Sequence, residues 1–343
     1  MTGPRVATGP QRPADQTPVR AGGSIRRTSH VDAWWRDGTW GPLLLRADGR
    51  DLFTPVPGGG EPVVMAAETV TAEVDEERQA VLAVAAPVPD RTLAALRGQA
   101  PRGGFRLALS TADLGDVGAP GVAGSGNLVY ALLDELPAVV LVCGYHLLRA
   151  RPAQGPTHFD VDAAVDVCAG WAAGSSMVAQ AVVAGQSPSI FGPLAPELAD
   201  ARDRWGWHDV PPVRPGTVRR RRRTDVGPRG TAGRVVDAMF RDSYGEPDGS
   251  ETVIHEYAVR AVVDGDRLVA VDADPRVLPA FECPSAAASA GEMVGATLGD
   301  LRLRVRRTLR GPRTCTHLND LLRTFADLPA LVARADVIDG GGR

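Results

Sequence analysis

Apolar and polar positions alternate along several short stretches of the chain, the spacing of strands with one buried face. Within 63–74, Val70, Ala72 and Val74 fall on one side and Thr69, Thr71 and Glu73 on the other. Further strand-like runs lie at 41–46 and, beyond the charged turn Asp75-Glu76-Glu77-Arg78, at 80–84. The pattern returns at 235–241, 252–263 and 267–272, with Asp264-Gly265 as a hairpin turn. Helical spacing predicts helices over 91–97 and 127–136, and again over 284–295, 298–309 and 316–334. Between these groups, 138–145 reads as a buried strand and 161–183 as a small-residue helix in which Cys168 and Trp171 serve packing. The fold class is therefore α+β: a tandem pair of related units, each mostly antiparallel strands followed by helices, with an inserted middle segment. The expected boundaries are a disordered start at 1–23, a first unit at 24–137, the insertion at 138–218 and a second unit at 219–338.

The two groups resemble each other in sequence. Arg26-Arg27-Thr28 matches Arg222-Arg223-Thr224, the hairpin 67–84 matches 255–271, and Leu136-Pro137-Ala138 matches Leu328-Pro329-Ala330. The last alignment lays Asn127 on Asn319, and a pseudo-twofold pair of sheets is the expected outcome. Chemistry separates the halves. His255 falls on Ala67, Cys315 on Ala123 and His317 on Ser125, which nominates the second half as the working one.

Composition narrows the function classes. All 38 basic residues are Arg, so a Schiff-base lysine, a pyridoxal-phosphate enzyme and a phosphate loop with its Gly-Lys pair are excluded. A formal charge of −3 gives no electrostatic reason to expect nucleic acid. The run Arg219–Arg223 could grip phosphates, but reads more readily as a solvated strand or linker. The glycines of 118–126 follow no clear strand, a poor match to a dinucleotide loop. Residues 1–23 have no apolar core of a signal peptide, and the most apolar run, 128–144, is interrupted by Asp134, Glu135 and Pro137. A cytoplasmic protein with four reduced cysteines and no membrane contact is expected.

Candidate chemistry concentrates near the end of the chain. Arg313 to Phe325 carries Cys315, His317, Asn319 and Asp320 at the start of a helix whose Leu318, Leu321, Leu322 and Phe325 face a core. A thiol at a helix mouth meets unpaired amides and the positive end of the dipole, which favour a thiolate. Upstream, His255 and Tyr257 share one face of a strand and Glu256 takes the other, while Cys283-Pro284 opens another helix. Three readings stand. His255, Cys283, Cys315 and His317 are candidate ligands for zinc or iron. Alternatively, Cys315 is a nucleophile with His255 or His317 as base and Glu256 or Asp320 as orienter, giving His255, Glu256, Cys315 and His317 as the catalytic set. The third is a stabilising core without chemistry.

Arg222-Arg223-Thr224, His255-Glu256, Cys283-Pro284 and Cys315-Thr316-His317-Leu318 together resemble the pattern of domain-of-unknown-function family 2889 over about residues 219–330. The first half shares Arg26-Arg27-Thr28 but lacks the His-Glu and Cys-Thr-His motifs. The resemblance implies a fold group and a motif, with no activity attached. The functional expectation is an enzyme of hydrolase or lyase class acting on a small-molecule ligand. A non-catalytic binder of small anions and a structural partner subunit are the alternatives.

Overall fold

The computed structural model describes residues 8–36, 41–114, 127–150, 160–185, 187–188 and 190–341. Eight antiparallel strands form one sheet: β1 (Ser24–Trp35), β2 (Leu43–Thr54), β3 (Val63–Asp75), β4 (Ala80–Ala85), β5 (Val218–Gly230), β6 (Gly233–Gly245), β7 (Glu251–Asp264) and β8 (Arg267–Val277). Their order is β4-β3-β2-β1-β5-β6-β7-β8. Two four-stranded meanders thus meet along β1 and β5, where Arg27 lies opposite Thr224 and Thr28 opposite Arg223. The expected pair of sheets is a single sheet. Side-chain alternation predicts β2 to β4 and β6 to β8, but not β1, and the β1–β5 pairing joins strands nearly two hundred residues apart.

Among the described residues the helices are α1 (Asp90–Leu93), α2 (Phe105–Thr111), α3 (Leu128–Ala150), α4 (Val161–Ala164), α5 (Ser176–Ala184), α6 (Leu301–Thr308), α7 (Thr316–Arg323) and α8 (Leu328–Gly341), with 3-10 segments between them. None is long and apolar enough to cross a membrane. The strand expected at 138–145 is instead the second half of α3, which continues through Pro137. An apolar run of that length is ambiguous by periodicity; here it is helical, and its Val139, Val140 and Val142 are buried in the core. The helix expected over 161–183 is broken into α4, a 3-10 turn at Ala169–Trp171 and α5. The helix expected over 284–295 is a 3-10 run, Cys283–Met293. Its Ala, Ser and Gly residues tolerate the tighter winding.

Helices cover one face of the sheet and irregular chain covers the other. Residues 8–23, expected to be disordered, run along the coil-covered face: Gly9 N–H donates to Leu278 O at 3.1 Å, and Ala14 N–H to Glu256 Oε1 at 2.6 Å. Residues 190–216 share that face, where Trp207 Nε1 donates to Thr17 Oγ1 and His208 stacks on His30.

The arginine run is strand β5, and all five side chains are buried rather than solvated. Alternation sends them to opposite faces. Arg219 binds Asp32 through two hydrogen bonds, Arg221 meets Glu197, and Arg223 pairs with Asp225 and Asp237 on the coil-covered side. On the helix side Arg220 grips Asp242 (2.6 and 2.9 Å) and reaches Asp320 (2.7 Å), and Arg222 meets Glu135 and Asp320. Two further clamps lie on β1. Arg26 binds Asp225 as Arg219 binds Asp32, and Arg27 binds Asp51 as Arg220 binds Asp242. By their carboxylate partners, Arg26 and Arg27 resemble Arg219 and Arg220 rather than the Arg222 and Arg223 of the sequence match.

Replacing Arg220 with Met strands buried carboxylates and is expected to lower the unfolding free energy by about 3–5 kcal/mol, read from the urea midpoint at pH 7. Burial alone would raise the pKa of Asp242 and Asp320, but Arg220, with Arg106 and Arg222 at Asp320, outweighs it and holds both below the ordinary range. Such carboxylates stabilise the fold above their unfolded pKa of about 3.9, and that stability drains away as pH falls through the lower folded value. The wild type should lose stability steeply below about pH 4, and Arg220→Met more gently. Parallel acid profiles would contradict this role.

Candidate active site

The site is built where β6 and β7 meet α7 and the 3-10 segments. Asp242 and His255 are direct cross-strand partners, followed at once by a register shift between Asp242 and Ser243. Such a bulge re-aims side chains at the sheet surface. Asp242 Oδ2 lies 3.3 Å from His255 Nδ1, while both of its oxygens are also held by Arg220. The His255 ring stacks on that of His317, with centroids 3.8 Å apart and planes inclined by 24°. His317 enters from the first turn of α7, where Cys315 is the N-cap residue, and its Nδ1 lies 3.9 Å from Cys315 Sγ.

A cavity of about 20 Å³ is lined by His255, His317, Cys283, Cys315 and Cys168, and the Tyr257 hydroxyl donates to Cys283 O at 3.5 Å. Four of the five sequence candidates, His255, Cys283, Cys315 and His317, converge here. Glu256 does not. Strand alternation turns it to the coil-covered face, where it ion-pairs with Arg241 at 2.6 Å and accepts the Ala14 amide. Asp320 also points away, into the arginine cluster of Arg106, Arg220 and Arg222. Asn319 braces the turn, accepting from Thr314 Oγ1 and donating to Leu309 O.

Two participants were hidden from the sequence. Asp242 sits in an unremarked Arg-Asp-Ser stretch, and only its position opposite His255 gives it a role. Cys168 reads as a packing residue among small neighbours. Its loop is nonetheless built against the site: a Cβ on Gly170 would stand 2.6 Å from Cys283 Sγ, so only glycine permits that approach. Of the remaining histidines, His208 pairs with His30 at 2.7 Å on the far face, and the side chains of His146 and His158 lie outside the described residues, as do Ala123 and Ser125.

The electrostatics favour neutral groups. Burial, reinforced by Cys168, pushes Cys315 up to about 12, and burial together with Cys315 and Cys168 raises Cys283 well above its ordinary value. Burial and the neighbouring His255 lower His317 well below an ordinary imidazole. A thiolate–imidazolium pair needs the opposite shifts, so this geometry disfavours Cys315 as a free nucleophile despite its helix-mouth position. His317 Nε2 is buried without a hydrogen-bond partner among the described residues. An orphaned imidazole nitrogen beside several thiols is the donor set of a soft or borderline metal. Asp242, His255 and His317 are the group of ligand atoms that all lie within 4.8 Å of one another. Asp242 is already neutralised by Arg220 and does not line the cavity, which suits it to orienting His255 rather than binding an ion. His317 also borders a larger cleft of about 390 Å³ with Arg102, Arg106, Thr316 and Asp320.

Residues 218–330 match the family model described as "Protein of unknown function (DUF2889)", a span holding β5–β8, Cys283, Cys315 and His317 but not Cys168. No curated protein and no solved structure matches the chain.

In chelator and with the fold intact, Cys315 is expected to react with iodoacetamide at pH 8 more than about a hundredfold slower than free cysteine. Peptide mapping of the alkylated chain reads the rate residue by residue. A rate equal to that of the free thiol would restore the nucleophile reading.

Proposed function

We propose that the chain is a metal-dependent enzyme of hydrolase or lyase class that acts on a small molecule. The observation that carries this is a cavity of about 20 Å³ walled by thiols and imidazoles, which His317 separates from a cleft of about 390 Å³. The first volume suits one ion or one water and the second falls in the range of small-ligand sites. Cys283, Cys315 and His317 hold the ion, with zinc or iron the metals that match these donors. The ion supplies Lewis acidity to an oxygen in the site. His255 stacks alongside His317, so their in-plane lone pairs run side by side rather than converging on one point. We therefore assign His255 to proton transfer. Asp242 fixes its tautomer through Nδ1, leaving Nε2 to accept or return a proton, and Arg220 keeps Asp242 charged.

The depth of the site favours one other reading, a closed metal centre that only stabilises the fold. The same proposal takes the two halves as diverged copies of one unit, supported by the reciprocal Arg26–Asp225 and Arg219–Asp32 clamps. In that view the first half serves as scaffold.

Elemental analysis of the purified full chain is expected to find about one zinc or iron per chain, falling at least tenfold in Cys283→Ser and His317→Ala. Glu256→Gln, on the opposite face, should keep the metal. A wild-type chain free of transition metal after growth in metal-replete medium removes both metal readings.

A further inference from the structure

The cleft of about 390 Å³ runs between a buried end at His317 and an exposed one at Arg102. Its charged groups divide into matched and unmatched. Arg106 binds Asp134 (2.9 Å) and Asp320, and Asp320 is held in addition by Arg220 and Arg222. Those charges cancel within the lattice. Arg102 is different. Among the described residues it meets no carboxylate, and it donates instead to a neutral amide, Gln79 Oε1, at 2.9 Å.

Gln79 decides where that guanidinium points. It closes the charged turn between β3 and β4 with a φ of +51°, in the left-handed region that side chains other than glycine and asparagine seldom enter. Its Nε2 donates to Glu76 O, which leaves Oε1 as the acceptor for Arg102. An arginine oriented by a neutral partner keeps its full charge and its remaining N–H donors for a second one. Much of the other lining is apolar, including Pro101, Pro137 and Leu141. A single unmatched cation over an apolar wall fits a monoanion. A phosphate group carries roughly −1.5 to −2 near pH 7 and would leave negative charge uncompensated, whereas the planar arginine fork pairs with one carboxylate.

We propose that the substrate is a carboxylate-bearing small molecule, anchored at its non-reacting end by Arg102, with an apolar body lying along the prolines and its reacting bond toward His317. This rests on the reading of the cleft as the substrate site and adds the class of compound it takes. Arg102 is a specificity residue: the carboxylate it holds changes no bond, and the anchoring fixes the rest of the molecule against the buried end. Arg102, Gln79, Pro101 and Pro137 all precede the matched span of 218–330. The first half thus adds recognition to its role as scaffold.

Benzoate and benzamide, planar and nearly equal in size, vary the charge while holding the shape. Ligand-observed NMR titration of the full-length chain, with its metal content measured alongside, is expected to show benzoate binding at least about tenfold more tightly than benzamide. Inorganic phosphate at the same concentration should not displace it. Arg102→Gln should bring the two probes within about twofold of each other by weakening benzoate. Equal binding by the wild type, a preference that survives Arg102→Gln, or displacement by phosphate overturns the proposal. Phenylglyoxal labelling of the wild type needs no variant: benzoate at about four times its Kd should slow modification of Arg102 about fivefold, and an unchanged rate overturns the proposal. The two readings fail separately. A metal-free chain that prefers benzoate through Arg102 removes only the metal-dependent one, and a metal-loaded chain without the preference removes only this one.

Discussion

Arg220 occupies the point on which the other interactions turn. Its guanidinium is buried between the sheet and the helix layer, clamps Asp242 with two hydrogen bonds and reaches Asp320 on α7. A buried cation of this kind persists only when its donors are matched by fixed carboxylates. The neighbouring arginines repeat the arrangement on both faces, so the middle of the sheet is an ionic lattice enclosed by apolar layers. Arginine suits this role because its planar fork pairs bidentately with carboxylates and stays charged when buried. Five successive arginines are then neither a phosphate grip nor a solvated linker. They are the central seam along which the two meanders are joined to their helices.

The candidate site inherits its geometry from that seam. Asp242 links the lattice to the imidazoles: one neighbour is Arg220 and the other His255, which stacks on His317. Asp320 is held by the same guanidinium and belongs to α7, the helix that carries His317. Strand β7 and helix α7 are therefore aligned through a shared cation, and the two imidazoles stack. The surroundings are dry enough to hold the Cys283 and Cys315 thiols and the His317 imidazole toward their neutral forms, which makes the pocket poor for free-thiol chemistry.

Much of this was legible along the chain. Strands β2 to β4 and β6 to β8, the charged turn at 75–78, the hairpin at Asp264-Gly265 and the helix mouth at Cys315 all follow from alternation, turn chemistry and capping, which act over a few residues. The grouping of His255, Cys283, Cys315 and His317 was also visible, because unusual side chains in an Ala- and Val-rich background stand out. Helix α3 was misread at its second half because a continuous apolar run fits a buried strand and a buried helix equally, and Pro137 resembles a stop. Residues 8–23 looked disordered because their composition lacks apolar payload. Their order comes from backbone hydrogen bonds to β8 and Glu256, which composition does not register.

Local chemistry, then, was decided in the order of the residues: where strands and helices form, which side chains can ligate or carry protons, and that lysine chemistry is absent. Partnership was decided only in three dimensions. The pairing of β1 with β5, the meeting of Arg220 with Asp320, the exile of Glu256 to the far face and the arrival of Gly170 beside Cys283 all join residues far apart in sequence. Alternation fixes the face on which a side chain emerges. Packing selects what it meets there, because burying a charge or a thiol is tolerated only where the fold brings a partner to it.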